Sequence, residues 1–343
     1  MRYLKNVWSV AAWSHEVAAG QLLARTLLEQ PVLLWRDSEG TPVAFRDACP
    51  HRGAPLSLGR CERDVLHCAY HGLSFDRSGR CVGIPGQAHI PTGLRVPAWP
   101  VVERYGWLWI WMGDPLRADS SLIPHLPWLD DPAWHWKPGY MRYAANHLLV
   151  ADNLCDFSHL AFLHAGSIGG GSSYASDPPQ FERLKLGIRV TRWILDAEPA
   201  AFQRFAAGVS GPVDRWNIYD FLVPGLLLLD TGCAPTGTGA PEGVRRNAFE
   251  SRGVQAITPE TAGSTHYFFA QPHNGTSSRE RVTDASFEVL LKAFAEDRRV
   301  LEEQQARLDM INDFKPAPIA VDAGLAHYRR TLQALIDAEV EGP

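Results

Sequence analysis

Cys49-Pro50-His51-Arg52-Gly53 and Cys68-Ala69-Tyr70-His71-Gly72 decide how the first third of this chain is read. Each stretch carries one Cys and one His in a tight turn closed by glycine, and sixteen residues separate His51 from Cys68. Two such loops side by side present two thiolates on one flank and two imidazoles on the other. That is the donor set of a [2Fe–2S] cluster whose cysteines hold one iron and whose histidines hold the second, the neutral imidazoles raising the potential above that of an all-thiolate cluster. A structural zinc site uses the same four residue types but usually groups like with like. Here Cys and His alternate within each pair, which favours the cluster. Cys61, Cys81, Cys155 and Cys233 fit neither pair and read as structural thiols.

Around these loops the chain reads as short strands. Pro31 to Trp35, Val43 to Ala48, Val65 to Cys68 and Trp107 to Trp111 are β-like runs, separated by turn signals such as Asp37-Ser38-Glu39-Gly40 and Asp76-Arg77-Ser78-Gly79. In the last run Trp107, Trp109 and Trp111 alternate with Leu108 and Ile110, the period of a strand with two different faces. Residues 1–120 are therefore expected to form a small all-β domain. Residues 121–139, rich in Pro and Asp, suit a linker, and 140–343 a second domain. In the second domain a helix is expected over roughly Leu148 to Leu163, then strands at Gly187 to Leu195, Trp216 to Leu222, Gly225 to Asp230 and Thr265 to Ala270. A long helix begins near Asp284 and runs past Leu308. Strands and helices without regular alternation indicate α+β with an antiparallel sheet. A Gly/Ser run at Gly169 to Ser173 is the only low-complexity tract.

A second set of donors lies in Asn153-Leu154-Cys155-Asp156-Phe157-Ser158-His159 and His164. Two imidazoles and one carboxylate on one face make the facial triad of non-haem iron, with positions left open for oxygen. A five-residue step turns ~140° around an ideal helix, so His159 and His164 share a face only if the helix bulges or ends between them. Without a metal they read as a pair of satisfied histidines. The third donor is suggested by periodicity. Leu290, Phe294, Asp297, Leu301 and Leu308 follow the apolar stripe of a long helix, and Asp297 interrupts it. A carboxylate on a core-facing stripe is costly unless it meets a metal or a buried cation, and both readings stand. Glu296, Glu302 and Glu303 have other azimuths and are expected in solvent. Asp156, three residues before His159, is placed to accept a hydrogen bond from that ring's second nitrogen, as carboxylates beside metal-bound histidines do; otherwise it is a surface acid. Asn153 continues the same three-residue recurrence as a supporting polar group.

These residues resemble the Rieske non-haem iron oxygenases, specifically the branch that acts on aryl methyl and methoxy groups, of the vanillate and dicamba O-demethylase and toluenesulfonate methyl-monooxygenase type. The resemblance spans nearly the whole chain. It is carried by Cys49-Pro50-His51-Arg52-Gly53-Ala54-Pro55-Leu56, Tyr70-His71-Gly72, Asp152-Asn153-Leu154, Phe294-Ala295-Glu296-Asp297, Ala323-Gly324 and the segment DTGCAPTGTGAPEG at 230–243. It implies a Rieske domain followed by a catalytic domain in which an antiparallel sheet grips a helix. Cys49, His51, Cys68 and His71 would hold the cluster, and His159, His164 and Asp297 a mononuclear Fe(II) that uses O2. Asp156 would bridge His71 of one subunit to His159 of the next in a head-to-tail homotrimer. His266, in Thr265-His266-Tyr267-Phe268-Phe269, would bind an anionic group of a small aromatic acid.

The expected function is thus the terminal oxygenase of a monooxygenase that hydroxylates an aryl methyl or methoxy group. No nucleotide-binding fingerprint appears, so electrons are expected from a separate NAD(P)H-dependent flavin/iron–sulfur reductase. Two alternatives are ring cis-dihydroxylation and, in a different class, a Rieske electron carrier whose second domain only binds a ligand. A net charge of −5 with scattered Lys and Arg gives no nucleic-acid footprint. The most apolar run, Phe221 to Leu229, contains Pro224 and Gly225 and falls short of the ~20 residues of a membrane span. No secretory h-region is evident, and the chain reads as cytoplasmic.

Overall fold

The computed structural model describes residues 2–166, 168, 179–199, 201–246, 248–275 and 279–341; the Gly169–Ser173 run lies outside the described residues. It separates into two units, Met1–His125 with Thr258–Ala262, and Leu126–Ile257 with Gly263–Pro343. The division falls within the Pro- and Asp-rich stretch.

In the first unit the elements are β1 (Trp8–Trp13), β2 (Leu23–Leu27), β3 (Gln30–Arg36), β4 (Pro42–Arg46), β5 (Arg60–Glu62), β6 (Val65–His67), β7 (Ser74–Phe75), β8 (Cys81–Gly83), β9 (Ala98–Trp99), β10 (Val101–Arg104) and β11 (Trp107–Trp111). They make three antiparallel sheets, ordered β1-β11-β10, β2-β3-β4-β9 and β5-β6-β7-β8. The alternation in β3 explains why three small sheets hold together. Val32 and Leu34 join a core with Leu108 and Ile110, whereas Leu33 and Trp35 join one with Phe45, Leu66 and Phe75. Strand β11 likewise buries both faces. Opposite Leu108 and Ile110, Trp107 and Trp111 meet Trp13 and Trp8 at ring distances of 5.1 and 5.5 Å. The indoles of Trp8 and Trp111 donate to the carbonyls of Asp119 and Asp114 (2.8 Å each), so the chain after β11 caps this face.

The two donor loops follow β4 and β6, and their backbones repeat one scheme. Cys49 N–H donates to the Ala54 carbonyl and Gly53 N–H returns to the Cys49 carbonyl (both 2.8 Å). Cys68 and Leu73 do the same at 2.8 Å, and Gly72 and Cys68 at 3.0 Å. Closing each loop needs a left-handed residue, supplied by Gly53 (φ +71°) and Gly72 (φ +72°).

The second unit is a seven-stranded antiparallel sheet ordered β12-β18-β17-β16-β15-β14-β13. Its strands are β12 (Gly139–Tyr143), β13 (Gln180–Leu184), β14 (Gly187–Ala197), β15 (Val213–Leu222), β16 (Leu226–Pro235), β17 (Phe249–Thr261) and β18 (Ser264–Ala270). The helices are α1 (His147–Cys155), α2 (Ala201–Ala207), α3 (Arg279–Met310) and α4 (Ala323–Glu341). The stripe of α3 seats Phe294 against Tyr267 and Phe269 of β18, at ring distances of 5.1 and 4.8 Å. Tyr328 of α4 covers Phe221 of β15 (4.6 Å), and Tyr219 Oη donates to the Cys155 carbonyl at the end of α1 (3.1 Å). The sheet grips α3, and the α+β expectation is met. Among the described residues no helix is long and apolar enough to cross a membrane. The helix expected over Leu148 to Leu163 stops at Cys155, and β12, β13, β17 and α4 are further elements.

A Cβ on Gly53 would meet nothing within 4 Å, whereas one on Gly72 would lie 2.8 Å from the Pro85 ring. Gly53→Ala is therefore expected to cost about 1 kcal/mol for the left-handed backbone alone, and Gly72→Ala roughly 1 kcal/mol more for displacing the proline. Thermal loss of the visible cluster spectrum should show the larger drop in midpoint for Gly72→Ala.

Candidate metal centres and their cavity

The donor loops of the first unit set cysteines inside and histidines outside. Cys49 and Cys68 are 3% and 2% exposed, and His51 and His71 are exposed with ring centroids 4.6 Å apart. Burial pushes the Cys49 thiol up to about 11, Cys68 adding to the rise against a hydrogen bond at His51 that lowers it. Two thiolates this close are unfavourable unless cations share them, which is what the irons of a cluster do. His67, on β6, is turned to Ser74, whose hydroxyl lies 2.8 Å from its Nδ1.

In the second unit the mononuclear site begins with the end of α1. Asn146 starts this helix by accepting the Leu148 N–H (2.8 Å). Asp156 ends it. Its backbone is extended (φ −131°) and its carboxylate accepts the Ser158 N–H (2.7 Å), capping a 3₁₀ turn over Phe157–Ala161. The distortion expected between the histidines is thus placed before both. His159 falls in the 3₁₀ turn and His164 in the turn that follows, with ring centroids 5.1 Å apart. The one hydrogen bond to His159 that sequence reasoning assigned to the Asp156 carboxylate is made by the Asp156 backbone carbonyl, 2.6 Å from Nδ1. A side chain three residues earlier sits alongside His159 only in a continuous helix, and the helix has ended.

Asp297, on α3, is 4% exposed. Its Oδ1 lies 3.1 Å from His164 Nε2 and 3.6 Å from His159 Nε2, and accepts from Asn153 Nδ2 (2.9 Å). One donor atom from each of His159, His164 and Asp297 lies within 4.8 Å of the others. The Nδ1 of each ring faces an acceptor, for His164 the Glu296 carboxylate at 2.8 Å. Each Nδ1 therefore carries the proton, and both Nε2 lone pairs point at the Asp297 oxygen. Three acceptors facing one another repel unless a cation lies among them, so the residues fit a divalent metal. The same pull on positive charge shows in the titration of His164: burial opposes a charge there, yet Asp297 and Glu296 together raise its pKa, so without a metal the site draws a proton instead. Burial holds His159 down.

Glu296 is the functional residue that sequence reasoning missed. Expected in solvent, it is partly buried and reaches His164, because that ring rises from a turn beside α3 rather than from its apolar stripe. The sequence signal was its adjacency to Asp297. His266 moves the other way. It is buried on β18, its Nδ1 2.8 Å from the Tyr140 hydroxyl. The adjacent Tyr267 and Phe269 face α3, so strand alternation turns His266 to the opposite face.

The triad lines a cavity of about 490 Å³. Apolar walls come from Phe157, Leu160, Leu229, Phe249, Leu290 and Phe294, and the sheet contributes Arg215, Asn217, Thr231 and Ser251. This is the size and lining of a small-ligand pocket, with a candidate metal in its wall.

Two family models account for most of the chain: a Rieske [2Fe–2S] domain over residues 7–100 and the vanillate O-demethylase oxygenase C-terminal domain over residues 143–338. The chain belongs to the Rieske-type non-haem iron oxygenases, in the family of the vanillate O-demethylase oxygenase. It is 45% identical to the iron–sulfur subunit of the toluene-4-sulfonate monooxygenase system of Comamonas testosteroni, over 99% of both chains. It is 34% identical to a vanillate O-demethylase oxygenase subunit of a Pseudomonas species, over 98% of this chain and 96% of that one. Among solved structures, dicamba monooxygenase bound to 3,6-dichlorosalicylic acid matches with a TM-score of 0.92 at 31% identity, over 100% of both chains. The same enzyme with non-haem iron and dicamba matches at 0.83 and 32%, over 99% of both. The chain is accordingly a monooxygenase component whose cofactors are a Rieske cluster and a mononuclear non-haem iron.

Replacing Glu296 by Gln keeps all three donors but removes the charged acceptor of His164. Iron affinity at the mononuclear site is expected to fall about 10- to 100-fold. Competition with a chelator, with the cluster spectrum as internal control, measures the change.

Proposed function

We propose that this chain is the terminal oxygenase that hydroxylates an aryl methyl or methoxy group of a small aromatic acid, with electrons from a separate NAD(P)H-dependent flavin/iron–sulfur reductase. The observation that carries this reading is the convergence of His159, His164 and Asp297 in the wall of the 490 Å³ cavity. In it, Cys49, His51, Cys68 and His71 hold the cluster within domain 1–120, and the triad holds iron within domain 140–343. When bound, the two groups supply electron transfer and the activation of O2. The chain's own residues hold the geometry. Asp156 and Glu296 accept from the two Nδ1–H groups and fix both rings, Asn153 orients Asp297, and the apolar wall keeps water from the reacting carbon. One O2, two electrons and two protons convert a methyl group to a hydroxymethyl group and water. A methoxy group becomes a hemiacetal that divides into a phenol and formaldehyde. A reaction fed by NAD(P)H suits a cytoplasmic enzyme of aromatic catabolism.

The test is product analysis with a compatible reductase. 4-Methyl- and methoxy-substituted aromatic acids should yield the benzylic alcohol, or phenol plus formaldehyde, with one oxygen atom incorporated. A dihydrodiol carrying both atoms would identify ring dihydroxylation instead. Asp297→Ala should lose about a third of the iron and all turnover while keeping the cluster spectrum, since two of three irons belong to the cluster; a chain holding only two irons before mutation is an electron carrier.

We further infer a head-to-tail homotrimer in which Asp156 links the two centres between subunits. Its carbonyl engages His159 of its own chain, and its carboxylate is offered to the exposed His71 edge of a neighbour. Asn is also a good cap, so Asp156→Asn should keep the Ser158 cap and both metal sites yet present an amide where an imidazole N–H donates. The pre-reduced variant should reoxidise its cluster far more slowly with substrate and O2 in stopped-flow absorbance. Reoxidation at the wild-type rate removes Asp156 from the electron path.

A further inference from the structure

Arg215 is 7% exposed, yet among the described residues no carboxylate pairs with its charge. It lies on β15 and lines the cavity. Its Nε is buried without an acceptor, and no ion pair among the described residues includes it. Its neighbours across the sheet are Ile194 and Cys233, neither an acid. Nearby acids are already engaged: Asp230 and Glu250 with Arg245 and Arg252, and Asp214 with the Asp196 N–H (3.0 Å). Asp297, the only carboxylate among the described lining residues, accepts from Asn153 and faces the two histidines.

A lysine or histidine in this position would escape the cost of burial by losing its proton. A guanidinium cannot. A buried cation in a cavity whose other polar lining, apart from the triad, is amide and hydroxyl is kept for an anion that arrives with the ligand. The placement suits an elongated molecule. Arg215 precedes Tyr219 by four residues, ~13 Å along an extended strand, and the Tyr219 ring stacks on Phe157 (4.3 Å), two residues before His159. Guanidinium and triad therefore stand at different points along the cavity.

We propose that Arg215 is the receptor for the anionic group, carboxylate or sulfonate, of the substrate, paired through its planar fork so that the far end of the ring faces His159, His164 and Asp297. The assignment rests on the oxygenase reading above and replaces His266, which lies on the other face of the sheet, as the residue that selects for an acid.

The experiment measures binding alone, by calorimetry on the purified holoenzyme without reductase. Its probes are 4-methylbenzenesulfonate, 4-methylbenzoate and the uncharged methyl 4-methylphenyl sulfone, against wild type, Arg215→Gln and Arg215→Lys. Wild type should prefer at least one anion over the sulfone. In Arg215→Gln that preference should fall about 30- to 100-fold, the worth of charge-assisted hydrogen bonds. Arg215→Lys, which keeps the charge but not the fork, should fall between, and it carries the test should the Gln variant lose its cluster spectrum. Equal losses for anion and sulfone would make Arg215 a structural residue, and anion affinity unchanged in both variants, or absent in wild type, would overturn the proposal. Wild type that binds anions through Arg215 but oxidises no methyl group would remove the reaction proposed above and leave the receptor standing.

Discussion

Two imidazole nitrogens and a carboxylate oxygen lie within 4.8 Å of one another, and groups that all accept cannot share so small a space unless positive charge sits among them. Much of the second unit serves that convergence. Asp156 ends α1 so that His159 leaves helical register. The long helix α3 brings Asp297 to a buried point on its stripe, and Glu296 one residue earlier reaches back to His164. Arg329 of α4 bonds Asp152 (Nε to Oδ1, 2.9 Å), tying down the helix turn that carries Asn153. A rigid frame of this kind is needed because the donors supply no cohesion of their own without the metal.

The cluster loops solve the opposite problem. Their backbone bonds are complete without any metal, each Cys and its partner five residues on closing the loop. The loops are thus pre-formed, and asymmetric by design of the chain: buried sulfurs against the core of β6 and β7, exposed imidazoles toward solvent. It is the histidine side that faces outward.

Chemistry-bearing residues were the more legible part of the sequence. The Cys/His alternation and the break in the α3 stripe at Asp297 depend on local spacing, and spacing survives folding. Strand Trp107–Trp111 was legible to the residue because its period is strict. What escaped depended on partners distant in sequence. β17 carries Gly253 and Pro259, residue types that are depleted in strands, although Gly253 is needed so that Leu229 and Gln271 can approach the backbone. α4 mixes alanines and polar residues with a few large apolar ones, and those gain their burial only against Phe221 and Phe181. The acceptor for His159 was assigned to the right residue and the wrong atom, since only the fold reveals that the helix stops at Cys155. The buried state of Arg215 has no local signature, because it follows Asp214 and two charged residues in a row carry no sign that both are buried.

Strand β11 lies between two tryptophans of β1 on one side and an aliphatic layer from β3 on the other, all five of its residues buried. Reaching its amides requires both layers to part together, so no small local motion exposes them. In heavy water these protons should therefore outlast every loop and edge strand of the first unit, leaving β11 as the slow clock by which the opening of that whole unit is timed.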